Sequence, residues 1–186
     1  RVMIQPVDGE RLHSTGTNLE TESELTITEA TEFTVVVGRV EHVQLTVEPG
    51  WNLVTNPLIS SDRWVDATAN ATATTSDEIW YYDNGRFVAF DGLGVLRPEV
   101  GHWVYSEDAG VLANISGIAA DGIVELTEGW NLVASAPGTQ IPAGSVAVAY
   151  LWNATDQEFE RLAPGTRLPP GTAYWIHVQA PLRTGE

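Results

Sequence analysis

The chain contains the stretch Gly50-Trp51-Asn52-Leu53-Val54 and repeats it as Gly129-Trp130-Asn131-Leu132-Val133. Two further stretches recur in the same order. Residues 79–83 (Ile-Trp-Tyr-Tyr-Asp) match 149–153 (Ala-Tyr-Leu-Trp-Asn), and residues 96–104, with Leu-Arg-Pro and Gly-His-Trp-Val, match 168–176. Three matches in the same order predict an internal duplication.

The two copies differ in length. Trp51 and Trp130 are farther apart than Trp103 and Trp175, so the first copy has a net insertion, which we place in the Thr-, Ala- and Asn-rich run 66–77. A repeated element usually reflects architecture, whereas a catalytic site brings different residues to one place. The duplication therefore argues against an enzyme.

Most segments have the pattern of strands and turns. Asp8-Gly9 and Asn84-Gly85 stand between apolar runs and predict hairpin turns. Residues 33–37 form an apolar β-branched run. Apolar and polar residues alternate at period two in 24–28 and 43–47, and 123–127 repeats the strand before the second Gly-Trp-Asn. No stretch sustains a helical apolar stripe, so at most a short helical turn is expected, near 60–65 or in the insertion.

We predict an all-β chain of tandem duplicated units, each resembling a β-sandwich or barrel. Residues 1–42 are an N-terminal β segment that completes copy one or a preceding domain. Copy one spans 43–118 and copy two spans 119–186. Copy two is too short to bury a large core alone, so the two copies are expected to pack as a pseudo-symmetric pair.

The composition narrows the range of partners. The net charge is −16, all nine basic residues are Arg, and Cys is absent. We therefore predict no nucleic-acid partner and no disulfide. No apolar run is long enough to insert into a membrane, and we expect the chain to be a mature piece or fragment of a longer protein. The acidity is explained either by ordinary solubility or by a high-salt habitat.

The stretches of copy one resemble a module of secreted and cell-surface proteins of bacteria and halophilic archaea. The stretches that carry this resemblance are Gly50 to Val54 with Asn56-Pro57, then 79–83, then 96–104. Copy two departs from it at 135–137 (Ser-Ala-Pro) and 151–153 (Leu-Trp-Asn). The resemblance covers about two-thirds of the chain. It implies a β-rich, extracellular appendage and supplies no catalytic residue.

Aromatic residues are the main candidates for binding. Six Trp recur in the repeat and are predicted to form a structural core: Trp51, Trp80, Trp103, Trp130, Trp152 and Trp175. Trp64, Tyr81 and Tyr82 are predicted as exposed platforms for carbohydrate, because an aromatic face suits the apolar face of a sugar ring. Asn52 and Asn131 are expected to cap a turn or to satisfy backbone groups.

Other sites have weaker signals. Three sequons make Asn70, Asn114 and Asn153 the candidates for glycosylation. Calcium candidates are Asp62, Asp66 and Asp77, but no calcium-loop spacing is present, and no other metal or cofactor is predicted. No nucleophile elbow, phosphate loop or metal-ligand spacing occurs, although a glycosidase carboxylate pair has no sequence signature.

The function predicted from the sequence is a non-catalytic structural or adhesive module on a cell or virion surface. Its expected partners are other surface-protein domains or subunits, with glycans as a further class. The alternatives are a carbohydrate-binding module and an accessory domain of a secreted hydrolase. The contact region is expected in 62–77 with the tip Asp83-Asn84-Gly85, unless the insertion is a glycosylated spacer carrying Asn70.

Overall fold

A computed structural model describes residues 2–6, 17–18, 33–60, 62–92, 96–120, 124–135, 139–142, 146–169 and 171–183. Nearly all of its regular structure is β-strand, which confirms the all-β prediction. The strand predicted at 24–28 and the hairpin turn predicted at Asp8-Gly9 lie outside the described residues.

The first part of the described chain contains ten strands and one short helix. They are β1 (Val2–Pro6), β2 (Thr17–Asn18), β3 (Phe33–Val37), β4 (Val40–Val47), β5 (Gly50–Val54), β6 (Leu58–Ile59), α1 (Trp64–Ala67), β7 (Thr75–Asp83), β8 (Arg86–Ala89), β9 (His102–Ser106) and β10 (Gly110–Ala119). They form antiparallel sheets in the orders β2-β1-β3, β4-β10-β6 and β5-β9-β7-β8. The single turn of α1 falls where a short helix was expected.

The second part contains six strands. They are β11 (Glu125–Leu126), β12 (Gly129–Ala134), β13 (Val146–Asn153), β14 (Glu158–Leu162), β15 (Ala173–Val178) and β16 (Leu182–Arg183). They form the pair β11-β16 and the sheet β12-β15-β13-β14. Among the described residues, no helix is long and apolar enough to cross a membrane.

The two four-stranded sheets have the same strand order and the same register. In each sheet, the Gly-Trp-Asn strand (β5 or β12) pairs with the strand that comes last in the chain (β9 or β15). That strand also pairs with the first strand of a hairpin (β7-β8 or β13-β14), whose second strand forms the other edge of the sheet. Leu53 lies opposite Trp103, and Leu132 lies opposite Trp175. Trp103 also faces Trp80 across the next pair of strands, where Trp175 faces Tyr150. This correspondence is what a duplication predicts, and the duplication itself stays a prediction.

The Gly-Trp-Asn motif forms the turn that leads into each sheet. Gly50 and Gly129 have φ angles of 95° and 96°, which side chains with a Cβ rarely adopt. Asn52 accepts a hydrogen bond from the N–H of Glu48 at 2.8 Å and donates to the carbonyls of Glu48 at 2.7 Å and Gly50 at 3.0 Å. Asn131 makes the same three bonds, at 3.0, 2.8 and 3.1 Å. The predicted role of the Asn side chains is therefore confirmed.

Each four-stranded sheet contributes one face to an apolar core. The first core lies between the sheets β5-β9-β7-β8 and β4-β10-β6, and its buried members are Leu45, Val47, Ala67, Ile79, Leu96, Val104, Leu112, Ala113 and Ile115. The second lies under β12-β15-β13-β14 and contains Leu126, Val133, Ile141, Ala149, Leu168, Tyr174, Ile176 and Val178. Burial of these side chains supplies the main driving force for folding.

The prediction that the six recurring Trp form this core is wrong. Trp51 and Trp130 are 43% and 41% exposed. The other four, Trp80, Trp103, Trp152 and Trp175, are only half-buried and belong to neither buried cluster. The reason is the pleat of a strand, in which successive side chains point to opposite faces. Asn52 takes the inner side of β5, so Trp51 lies on the outer side.

Candidate functional site

The second face of each four-stranded sheet is aromatic. On the first sheet, the register of the strands puts six aromatic residues on this face: Trp51, Trp80, Tyr82, Phe87, Trp103 and Tyr105. On the second sheet, the corresponding residues are Trp130, Tyr150, Trp152, Phe159, Trp175 and His177. These faces are turned away from the apolar cores, and their rings meet each other.

The aromatic contacts between the sheets are reciprocal. The Trp103 ring lies 5.2 Å from Trp152 and 6.2 Å from Phe159, measured between centroids. The Trp175 ring, at the corresponding position of the other sheet, lies 4.8 Å from Tyr82 and 6.2 Å from Phe87. All four contacts are edge-on, a favoured geometry for aromatic pairs. The same patch thus serves both sheets, as in a two-fold interface.

One end of this aromatic interface is closed by hydrogen bonds. Gln157 accepts from the N–H of Trp51 at 2.8 Å and donates from Nε2 to the carbonyl of Trp51 at 2.9 Å. The indole Nε1 of Trp152 donates to the same carbonyl at 2.8 Å. Gln157 stands at the end of the four-residue loop 154–157 with a φ of 56°. We call this the closed end.

The other end is open and contains an aromatic groove. The groove has a volume of about 440 Å³ and is lined by Tyr82, Phe87, Trp130, Tyr150, Phe159 and Trp175. Phe87 and Phe159 are about half exposed, at 52% and 50%. The hairpin on this side ends in the two-residue turn Asn84-Gly85, and a Cβ on Gly129 would meet no described atom within 4 Å. We call this the open end.

The groove is suited to binding an apolar or aromatic group. Its six lining side chains include no carboxylate, imidazole or thiol. The polar atoms of these side chains are the phenol hydroxyls of Tyr and the indole N–H groups of Trp, at the edges of the rings. Nowhere among the described residues do three His, Asp or Glu side chains gather to hold a metal ion. The arrangement can therefore desolvate and orient a partner, and the titratable groups in its lining are the hydroxyls of Tyr82 and Tyr150.

The residues predicted as sugar platforms do not share one surface. Tyr82 lines the groove, but Trp64 lies in α1 and packs edge-on against Phe90, with ring centroids 5.8 Å apart. Tyr81 lies on the opposite side of β7, where the Arg97 guanidinium is 5.0 Å from its ring centroid. The parity of the strands separates Tyr81 from Tyr82.

Five groove residues were not among the predicted binding residues. Trp130 and Trp175 were assigned to the core, and no role was predicted for Phe87, Tyr150 or Phe159. Strand parity was the signal that could have found them. Asn52 and Asn131 face the apolar core, so the neighbouring Trp51 and Trp130 face the opposite side of the sheet. Every second residue along the strand then faces the same side as the Trp.

Two of the three calcium candidates, Asp62 and Asp66, are engaged in other interactions. Both carboxylate oxygens of Asp66 accept from Arg63, at 2.8 and 3.2 Å. These hydrogen bonds lower the pKa of Asp66 below its ordinary value. Asp62 accepts from the N–H of Ser116 at 3.0 Å, and the side chain of Asp77 lies outside the described part of the structure.

The three sequons differ in accessibility. Asn70 is exposed in the turn after α1, and Asn114 is exposed on β10, where it accepts from Gln44 at 3.1 Å. Asn153 is half-buried, and its Nδ2 donates to Asp156 at 2.9 Å and Glu160 at 2.6 Å. A glycan on Asn153 would disturb these two bonds, so Asn70 and Asn114 are the better acceptors.

A buried histidine distinguishes the first sheet from the second. His102 is fully buried, and neither ring nitrogen has a hydrogen-bond partner among the described residues. Burial, and then the charge of Arg97, lower its pKa to about 3, so the ring is neutral. Tyr174 has the corresponding position in the second sheet, where burial raises the pKa of its hydroxyl to about 12.

Comparison with known proteins does not add to this geometry. No protein family, no curated protein and no solved structure matches the chain, so its function is inferred from the site itself.

Proposed function

We propose that this chain is a non-catalytic structural or adhesive module of a cell-surface or virion-surface protein. In this proposal the aromatic groove is the contact surface for another surface-protein domain or subunit. The carrying observation is the reciprocal aromatic interface, which is closed at one end and leaves six rings around an open groove at the other.

The composition of the groove supports a polypeptide partner. Aromatic residues are enriched at protein interfaces because they bury a large area with few rotatable bonds. Phe87, Phe159 and Trp130 are each exposed and line the same groove, so they form one exposed apolar patch of the kind that marks interaction sites. The rings stand on paired strands, so a partner would meet a preformed surface.

The extracellular location rests on a separate argument. The Gly-Trp-Asn-Leu repeat resembles modules of secreted and cell-surface proteins, and the net charge of −16 is consistent with a protein exposed to high salt.

Carbohydrate binding is the second candidate. Trp130 and Tyr150 stack with an interplanar angle of 28° and a centroid distance of 6.2 Å, which offers one flat, partly exposed platform. The remaining rings meet at 67° or more around Phe159 and Trp175, and no Asp, Asn or Arg side chain lines the groove to bind sugar hydroxyls. This geometry favours an apolar polypeptide side chain over a sugar ring.

The test is a parallel selection of peptides and glycans on the purified chain. A displayed peptide library should yield ligands with aromatic anchors, and a glycan array should yield none. Phe87→Ser should weaken the selected peptides about tenfold by removing ring contact area. Val65→Ser is the matched control, since Val65 is 61% exposed on α1, away from the groove.

Each outcome decides between the candidates. Glycans bound in the groove would replace the leading proposal by carbohydrate binding. Ligands that respond to Val65→Ser and not to Phe87→Ser would show that the groove is not the contact surface.

A further inference from the structure

The two ends of the aromatic interface occupy corresponding positions, but among the described residues only the closed end has a carboxamide side chain bonded to the backbone of the motif's Trp. There, Gln157 meets both backbone polar groups of Trp51. A Cβ on Gly50 would lie 2.5 Å from Gln157 Oε1, so the side chain is seated closely against the glycine turn. Gln157 therefore behaves as an internal ligand for the edge of β5.

The backbone of Trp130 presents the same two groups at the open end. Trp51 and Trp130 hold the same position in the registers of β5 with β9 and β12 with β15. In an antiparallel pair, alternate residues direct their N–H and C=O to the same side, so the groups of Trp130 point outward like those of Trp51. Ala134 has the same parity, and its N–H donates outward to the carbonyl of Glu99 at 3.2 Å.

Loop length explains why no residue in the described part of the chain serves as an internal ligand at the open end. The loop that carries Gln157 has four residues, whereas the corresponding turn Asn84-Gly85 has two. Apart from its two chain neighbours, no described residue lies within 4 Å of a Cβ built on Gly129, where Gln157 would stand by symmetry. The aromatic groove lies directly beside this position, because Trp130 is part of its lining.

We propose that the open end docks a polypeptide segment of a partner that presents a carboxamide side chain close to an aromatic ring. The carboxamide accepts from the N–H of Trp130 and donates to its carbonyl, as Gln157 does at Trp51. The ring enters the groove and packs on its lining side chains, since Tyr82 already has the place that Trp152 has at the closed end. A carboxamide has one acceptor and donors in a single plane, which matches the paired groups of a strand edge. This inference rests on the proposed function.

A peptide taken from the chain itself is the direct probe. A cyclised peptide with the sequence of residues 151–160 contains both Trp152 and Gln157. In a titration of the ¹⁵N-labelled full chain, it should shift the backbone amides of Gly129 and Trp130. The same peptide with Gln157→Glu should bind about tenfold more weakly, because a carboxylate cannot donate to the Trp130 carbonyl. Equal binding of the two peptides would overturn the inference.

A loop graft tests the same idea within the chain. Replacing Asn84-Gly85 by Ala-Thr-Asp-Gln, the sequence of the longer loop, should place a carboxamide beside Trp130. Binding of the peptide should then fall about tenfold, while the Tm rises. A graft with Ala-Thr-Asp-Ala has the same length and should keep most of the binding. Equal loss in both grafts would show steric blocking rather than occupation by an amide and would contradict the proposal.

An acetamido sugar separates this inference from its alternatives. Chitotriose carries amide groups without a polypeptide, and we expect it to leave the Trp130 amide unshifted. Tighter binding of chitotriose than of the peptide would overturn the inference in favour of carbohydrate binding. Failure of the amide probes, with selected peptides still dependent on Phe87, would overturn this inference and leave the proposed function standing.

Discussion

The closed end and the open end of the aromatic interface are built on the same strands in the same register, yet they have different surfaces. Trp103 and Trp175 pack on equivalent pairs of rings across the interface. The difference comes from a hairpin loop, because the longer loop carries Gln157 to the edge of Trp51. A repeated scaffold can thus keep its packing and change its recognition surface by altering one turn.

His102 and Tyr174 are buried at corresponding positions of the two sheets. The pH dependence of stability at this position should be the largest difference between the two sheets. The folded pKa of His102 is about 3, below its ordinary value of 6.5, so the unfolded state binds more protons between these values. Its contribution is complete above pH 6.5 and is lost as the pH falls toward 3. We expect a loss of about 3 kcal/mol in the free energy of unfolding between pH 7 and pH 4.

Urea unfolding at both pH values measures this loss. His102→Tyr, which places the residue of the second sheet in the first, should remove that part of the pH dependence. If wild type and variant lose the same stability on acidification, the buried histidine is not its source.

Trp103→Ala and Trp175→Ala should lower the free energy of unfolding by nearly equal amounts. Each removes an edge-on contact with two rings of the other sheet, and we expect about 3 kcal/mol for each, at the lower end for a large aromatic side chain that is half-buried. Chemical denaturation gives both values. A difference above about 1.5 kcal/mol would break the two-fold correspondence of the interface.

Gln157→Ala should affect only the closed end. It removes two hydrogen bonds to Trp51 that have no described counterpart at Trp130, and we expect a cost of about 1–2 kcal/mol. Hydrogen exchange of the backbone amides of Trp51 and Trp130 compares the two ends directly. In the wild type the N–H of Trp51 should exchange more slowly than that of Trp130, and Gln157→Ala should make the two similar. Equal rates in the wild type would mean that the closed end opens freely.

Raising the salt concentration should have the smallest effect on stability, and this effect should be stronger in the first copy. Residues 43–118 have ten acidic residues and three Arg, a net charge of −7, whereas residues 119–186 have seven and three, a net charge of −4. Raising NaCl from 0.1 to 1 M shortens the Debye length to about 3 Å, and we expect the Tm to rise by about 2–4 °C. A flat or falling Tm would remove the support for a high-salt habitat.

The recurring Trp residues lie outside the apolar cores, and their repetition has an ambiguous structural meaning. An aromatic residue that recurs in a repeat has two structural uses, as part of a core or as part of an interface between copies. Repetition alone does not separate them, since both demand the same residue in each copy. Trp51 is predicted in the core because it recurs in the repeat, but Asn52 turns inward to bind the backbone and directs the Trp to the other face.

The sequence by itself determined the β class, the Gly-Trp-Asn turn and the match of the three repeated stretches. These depend on short-range physics: a positive φ at glycine, side-chain bonds to the residue four positions earlier, and alternation at period two. Only the tertiary structure decided which face of each sheet packs on the other, which end Gln157 closes, and how far burial lowers the pKa of His102. These outcomes depend on contacts and solvent exclusion between residues far apart in the chain, and local patterns do not encode them.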